Sequence, residues 1–133
     1  MSLYGLVELE GRETEEIFFW ENFEVRDTNY YGVTKELSKY REIRILAKNT
    51  HDQDLLLDFR DGATPNTSFQ FFNGATFERA RISLTKGTVD YIDITTKYCE
   101  LKSCLKSLNL VVSNTTTAPT SGNLTIKVVG VPN

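Results

Sequence analysis

The sequence predicts an all-β fold, an antiparallel β-sandwich of jelly-roll type with at most one short helix, and three observations carry that expectation. First, about seven to nine strand candidates recur every 8–15 residues along the chain, separated by turn residues. Second, the last 25 residues, from Asn109 to Asn133, hold two β-branched runs on either side of a Thr/Pro/Ser/Gly loop. In the second run Leu124, Ile126 and Val128 fall on one face and Thr125, Lys127 and Val129 on the other, which reads as a hairpin in a half-buried antiparallel sheet. Third, 133 residues with 40% hydrophobic and 25% charged content suit one globular domain that buries its core without covalent staples.

Taken in order, Leu3 to Leu9 and Ile17 to Val25 are apolar segments separated by an acidic stretch containing Gly11, so residues 1–35 read as an N-terminal arm or an extra hairpin. Ile17-Phe-Phe-Trp20 is dense in aromatics, which favour strands. Arg26 to Lys35 reads as a loop, with Asp27 and Asn29 forming local turns and Gly32 as punctuation. Ile43, Ile45 and Ala47 alternate with Arg44, Leu46 and Lys48, and Leu55 to Phe59 restarts the pattern after a polar turn. Residues 41–59 therefore read as an antiparallel pair. Phe69 and Phe71 lead into Asn73-Gly74, a dipeptide favoured in two-residue hairpins. Between Glu78 and Leu84, Ala80, Ile82 and Leu84 are expected inward, with Arg79, Arg81 and Ser83 outward. Lys86-Gly87 turns the chain into a strand over 88–95 whose phase shifts midway, as at a bulge or a strand end. Leu101, Cys104, Leu105 and Leu108 sit at helical spacing, either as the chain's short helix or as one turn before a strand over 107–113.

The charge is −3 overall but uneven: residues 1–61 carry 14 acids and 8 bases, residues 62–133 carry 4 acids and 7 bases. An acidic front end and a pI near 5.2 lack the basic footprint of a nucleic-acid binder, so no nucleic-acid partner is expected. No apolar run approaches the roughly 18 residues of a membrane span, so no membrane insertion is expected. Met1-Ser-Leu-Tyr-Gly5 lacks the basic and apolar regions of a signal peptide, which sets the expected location in the cytoplasm, with exit by lysis or a dedicated assembly. Acidic residues from Glu8 to Glu24 read as a solvated hairpin, or as a docking edge for a basic surface, including the more basic C-terminal half of a neighbouring copy.

Catalytic and metal chemistry find little support in the residue pattern. With a single histidine, any nucleophile–base arrangement depends on His51, which sits in a polar turn and reads as an exposed structural residue. Nucleophile elbows, glycine-rich phosphate loops and paired zinc-binding histidines are missing, so no enzyme activity and no cofactor are expected. Cys99 and Cys104 would point about 140° apart on a helix, which disfavours a disulfide between them; they read as reduced thiols without a redox or metal role. Asp52, Asp54, Asp58 and Asp61 offer hard oxygen ligands for calcium, but their spacing is not that of a calcium-binding loop, and solvated turn acids are the expected reading. For ligand binding the nominees are Tyr30 and Tyr31, beside Asn29 and Gly32, with Trp20 third: exposed aromatic rings flanked by amides and carboxylates could hold a sugar.

Two stretches carry a likeness to known proteins. A strand opens at Tyr40 and runs into Asn49-Thr-His-Asp-Gln53, and Ala118-Pro-Thr-Ser-Gly122 precedes the closing strand Asn123-Leu-Thr-Ile-Lys-Val128. From Tyr40 onward, about two-thirds of its length, the chain resembles small β-sandwich modules in proteins of phages and prophages of Gram-positive bacteria. The first 35 residues and the Cys99–Leu108 segment have no counterpart there, and no ligand or catalytic residue carries over. The resemblance implies a virion-associated part, such as a tail, baseplate or fibre accessory, assembled in the host cytoplasm and then carried in the virion. It also implies a homo-oligomer in contact with other virion proteins. The apolar stretch Val128-Val-Gly-Val131 agrees, because such an edge needs cover that a neighbouring subunit can supply. The rival reading is a carbohydrate-binding module that recognises a cell-surface glycan.

Overall fold

A computed structural model of the chain describes residues 13–63, 69–72, 75–95, 106–114 and 117–133. Among these residues there are ten strands and no helix: β1 (Glu15–Phe23), β2 (Tyr31–Glu36), β3 (Tyr40–Asn49), β4 (Leu55–Asp61), β5 (Gln70–Phe72), β6 (Phe77–Arg79), β7 (Arg81–Leu84), β8 (Ile92–Asp93), β9 (Ser107–Ser113) and β10 (Leu124–Pro132). One sheet has the order β1-β10-β3-β8 and the other β2-β9-β4-β7, with every pairing antiparallel. The β5–β6 hairpin forms a separate two-stranded ribbon between β4 and β7. With that ribbon set aside, eight strands numbered along the chain give sheets 1-8-3-6 and 2-7-4-5. This is the double Greek key of a jelly roll, and the predicted sandwich is the fold observed.

Alternation explains which side chains meet between the sheets. Ile43, Ile45 and Ala47 of β3 and Leu124, Ile126 and Val128 of β10 face Leu55, Leu57 and Phe59 of β4 and Leu108, Leu110 and Val112 of β9 in one core, with Phe19, Trp20, Ala80, Ile82 and Leu84. Each of the Val, Leu, Ile and Phe side chains, moved from water to this interior, contributes about 1.5–3 kcal/mol at the upper bound. β1 carries register shifts between Phe18 and Trp20 and between Trp20 and Phe23. At the second shift Asn22 adopts a φ of 51°, a left-handed conformation that asparagine tolerates, and its N–H donates to Thr125 Oγ1 at 3.0 Å.

The outer face of the first sheet is also covered. Leu46, Val129 and Val131 form a second apolar cluster with Tyr91 against it, and Thr125 and Lys127 are buried beside them. Lys127 Nζ reaches Glu16 Oε2 at 2.6 Å and lies 4.6 Å from the centre of the Tyr91 ring. β10 is therefore a central strand buried on both faces, neither the half-buried strand that alternation suggested nor the uncovered apolar edge expected at Val128–Val131.

Several local expectations need correction. β9 and β10 are not a hairpin: they lie in opposite sheets, β9 between β2 and β4, β10 between β1 and β3. Likewise β3 and β4 do not pair, since the turn between them crosses from one sheet to the other. The loop expected over 26–35 is half strand: Tyr31 to Glu36 form β2, where Tyr31, Val33 and Lys35 turn toward the interior and the alternate residues face solvent. The strand expected over 88–95 shrinks to Ile92–Asp93, with Val89 exposed. The β5–β6 ribbon ends on the pair Phe72 with Phe77, and Asn73-Gly74, expected to make its turn, lies outside the described residues. Of the expected arm, residues 15–23 and 31–36 are sandwich strands, and residues 1–12 lie outside the described residues. Cys99 and Cys104 and the helical spacing from Leu101 also lie outside them, whereas Leu108 belongs to β9.

Candidate functional site

The jelly-roll path brings four connections to one end of the sandwich: residues 24–30, 50–54, 85–91 and 114–123. They are joined at Asn49 and His51. His51 Nδ1 lies 2.8 Å from Asn49 Oδ1, and His51 Nε2 accepts the Val25 backbone N–H at 3.1 Å. With Nε2 an acceptor, Nδ1 carries the proton and the imidazole is neutral. The His51 carbonyl accepts the Gly87 N–H at 2.9 Å, and the Asn49 amide donates to the carbonyls of Leu84 at 3.0 Å and Gln53 at 3.2 Å. Thr50 and Asn123 exchange hydrogen bonds through both backbone and side chain.

Gly122 fits this junction for steric reasons. Its φ is 85°, and a Cβ there would run into the Thr50 carbonyl oxygen and come within 2.5 Å of His51 Cα. His51, expected to be an exposed turn residue, is 0% exposed. A polar turn reads as solvated in sequence, but here neighbouring connections close over it. Burial holds its pKa below the ordinary histidine value, and the charge of Arg26 adds to that, while Asp52 and Glu24 oppose it. Each polar atom of the ring meets a structural partner, so the geometry presents a pin between loops and not a catalytic base.

The nominated aromatics go to three different places. Tyr30 stands out from the 24–30 connection at 73% exposure. Tyr31 is half-buried: its ring meets Phe23 edge-on at 5.0 Å, and its hydroxyl lies 2.7 and 2.8 Å from the two Asp27 carboxylate oxygens. That hydrogen bond raises the Tyr31 pKa above its ordinary value. Asn29 donates to the same carboxylate from its backbone and its side chain, and Asn114 Nδ2 holds the Asp27 carbonyl at 2.6 Å. The loop is thus tied back through Asp27 while Tyr30 projects. Trp20 is packed in the core beside Phe19 and offers no face to a ligand. Tyr30 and Tyr31 share a loop; Trp20 is apart from both.

The four aspartates do not converge. Asp52 accepts from the Thr120 hydroxyl and N–H, bonds that lower its pKa; Asp54 accepts from Lys86 N–H, and Asp61 from Ala63 N–H. Asp58 lies on the outer face of the second sheet within 2.8 Å of Arg81 and 3.1 Å of both Arg60 and Arg79. Burial alone would raise its pKa, but the hydrogen bonds from Arg81 and Arg60 and the charges of Arg81 and Arg79 outweigh burial and lower it. Among the described residues no group of three metal-ligating side chains comes together. The sequence did not single out this arginine clamp, although Arg79 and Arg81 were expected on that face.

Among the described residues β7 and β8 are the last strands of their sheets, and a cleft of about 60 Å³ is lined by Ala47, Leu84, Ile92 and Ile94 with Asn49 and Thr88. Val89 (82% exposed) and Ile92 (50%) stand at this side. The cleft is far smaller than the several hundred Å³ typical of a cofactor or substrate pocket. No family model matches the chain, and no curated protein and no solved structure is similar enough to count as a match.

Proposed function

We propose that the protein is a non-enzymatic structural or accessory component of a phage or prophage particle, tail-, baseplate- or fibre-associated, that works through protein–protein contacts as a homo-oligomer. The observation that carries the reading is the β7–β8 side. Two strands at the ends of their sheets, an apolar cleft and two exposed aliphatic side chains are what an oligomer covers, and what a free monomer leaves as an aggregation hazard. The resemblance from Tyr40 onward supplies the particle context. Light scattering coupled to size exclusion at two protein concentrations tests the reading. A mass of three or more subunits, unchanged on dilution and lowered in a Val89→Glu/Ile92→Lys variant of unaltered circular dichroism, is the expected result. A clean monomer near 15.1 kDa overturns it.

A second reading rests on Tyr30, the most exposed aromatic ring among the described residues, held outward in a loop with Asn29 and Asp27. A glycan could stack on that ring at the loop end. Tyr30→Ala should then abolish retention on a glycan array without changing the melting temperature; equal retention by both forms removes this reading.

A further inference from the structure

We propose that His51 is a pH-sensitive clasp, whose protonation in mild acid releases the 24–30 connection, and Tyr30 with it, from the loop end of the sandwich. The argument begins with the ring's bonding. Nδ1 is committed to Asn49 Oδ1 at 2.8 Å, so an added proton can go only to Nε2. Nε2 is the acceptor of the Val25 N–H at 3.1 Å, and Val25 is 1% exposed. Protonation therefore sets two N–H groups against each other in a site closed to water. Withdrawal of the chain that carries Val25 relieves this conflict, at the cost of lifting the Val25 side chain out of the core.

The surroundings do little to accommodate the new charge. From the 24–30 connection, Arg26 sits close, donates to the carbonyls of Val25 and Gly122, and repels an imidazolium; Glu24 offsets this only from the surface, where it pairs with Arg26 at 3.6 Å. On His51's own connection, Asp52 is engaged by Thr120, and Asp54 by the Lys86 N–H. The 85–91 connection meets His51 through the backbone of Gly87, and its charged residues Lys86 and Asp90 are exposed. The 114–123 connection has no titratable residue. Burial also holds the His51 pKa down, so the neutral, clasped form is the one present at neutral pH. His51 is the chain's single histidine, so a side-chain transition between about pH 5 and 7 points to one group.

The test is amide hydrogen exchange of the full chain followed by nuclear magnetic resonance from pH 7.5 to 5, corrected for the intrinsic pH dependence of exchange. Protection of the Val25 amide should fall below pH 6.5 by up to about tenfold per pH unit, the limit for one linked proton, while the Leu57 amide in β4 keeps its protection. His51→Gln, which retains a side-chain acceptor but does not titrate, should flatten the Val25 profile. If that variant does not fold, the wild-type ring is followed directly: its imidazole shifts must move with the same midpoint as the Val25 amide shift. Val25 protection that tracks Leu57 throughout, a steep profile retained in His51→Gln, or unlinked midpoints would each overturn the clasp.

Discussion

Asp58→Asn is the substitution whose cost the structure defines best. Asp58 is 6% exposed, and its two carboxylate oxygens receive three guanidinium groups: Oδ1 from Arg81 at 2.8 Å, Oδ2 from Arg60 and Arg79 at 3.1 Å. Asparagine keeps the shape and one acceptor, but it puts an N–H₂ donor where the second oxygen stood and leaves a cluster of positive charge around a neutral group. A hydrogen bond to a charged group contributes about 1.5–3 kcal/mol when desolvated. Arg60 is the most buried of the three cations; Arg79 and Arg81 are each more than a third exposed, so solvent screens their share heavily. Counting one well-buried bond in full and two at a fraction, the loss at pH 7 is about 3 kcal/mol, or a fall in melting temperature of about 10 °C for a domain of this size. The sign of the pH dependence follows from the depressed Asp58 pKa. The stabilisation is fully present above the ordinary value of 3.8 and is lost as pH falls through the lower folded value. Urea unfolding of both forms at pH 7 and near pH 3 measures this directly. A difference under about 1 kcal/mol at pH 7, or one that stays constant into acid, would refute the assignment of Asp58 as the clamp's charge centre.

Three further outcomes follow from the packing. Gly122→Ala should cost more than Gly87→Ala: both have positive φ, worth about 1–2 kcal/mol against a Cβ. Only the Gly122 Cβ meets backbone, at Thr50 and His51, whereas Gly87 has open space, so calorimetry should place the Gly122 variant at least about 1 kcal/mol lower in stability. Ile126→Ala, at a 0% exposed position of β10, should lose about 2–5 kcal/mol in urea unfolding, and a loss below 1 kcal/mol would contradict its place in the core. Lys127→Met should cost under about 1 kcal/mol: it removes a buried cation lying on Tyr91, and Glu16, nearly half exposed, can turn to water.

The strand interiors of this protein were legible because side-chain alternation is a local property. Ala80, Ile82 and Leu84 were expected inward and are buried; so were Leu124, Ile126 and Val128. Turn chemistry was legible for the same reason, as at Lys86-Gly87, where Gly87 has a φ of 67°. Strand partners were not, because alternation says which face a residue occupies and nothing about which strand lies beside it. Glu15 pairs with Gly130, at the far end of the chain, and the nearest neighbours in sequence, β3 with β4 and β9 with β10, were sent to opposite sheets.

At the loop end, composition predicted polar turns and could go no further. That Tyr30 projects while Tyr31 turns inward depends on where β2 begins, which its pairing of Tyr31 with Val112 decides. That His51 is dry depends on the meeting of the 24–30, 85–91 and 114–123 connections over it, contributed by segments up to about 100 residues apart. An all-β chain and the inward face of most of its strands were readable from residue order, since both follow from the period of two in an extended backbone. The jelly-roll order, the two-sided burial of β10, the arginine clamp on Asp58 and the His51 pin were decided by tertiary structure alone, because each exists only where distant strands and loops exclude water together.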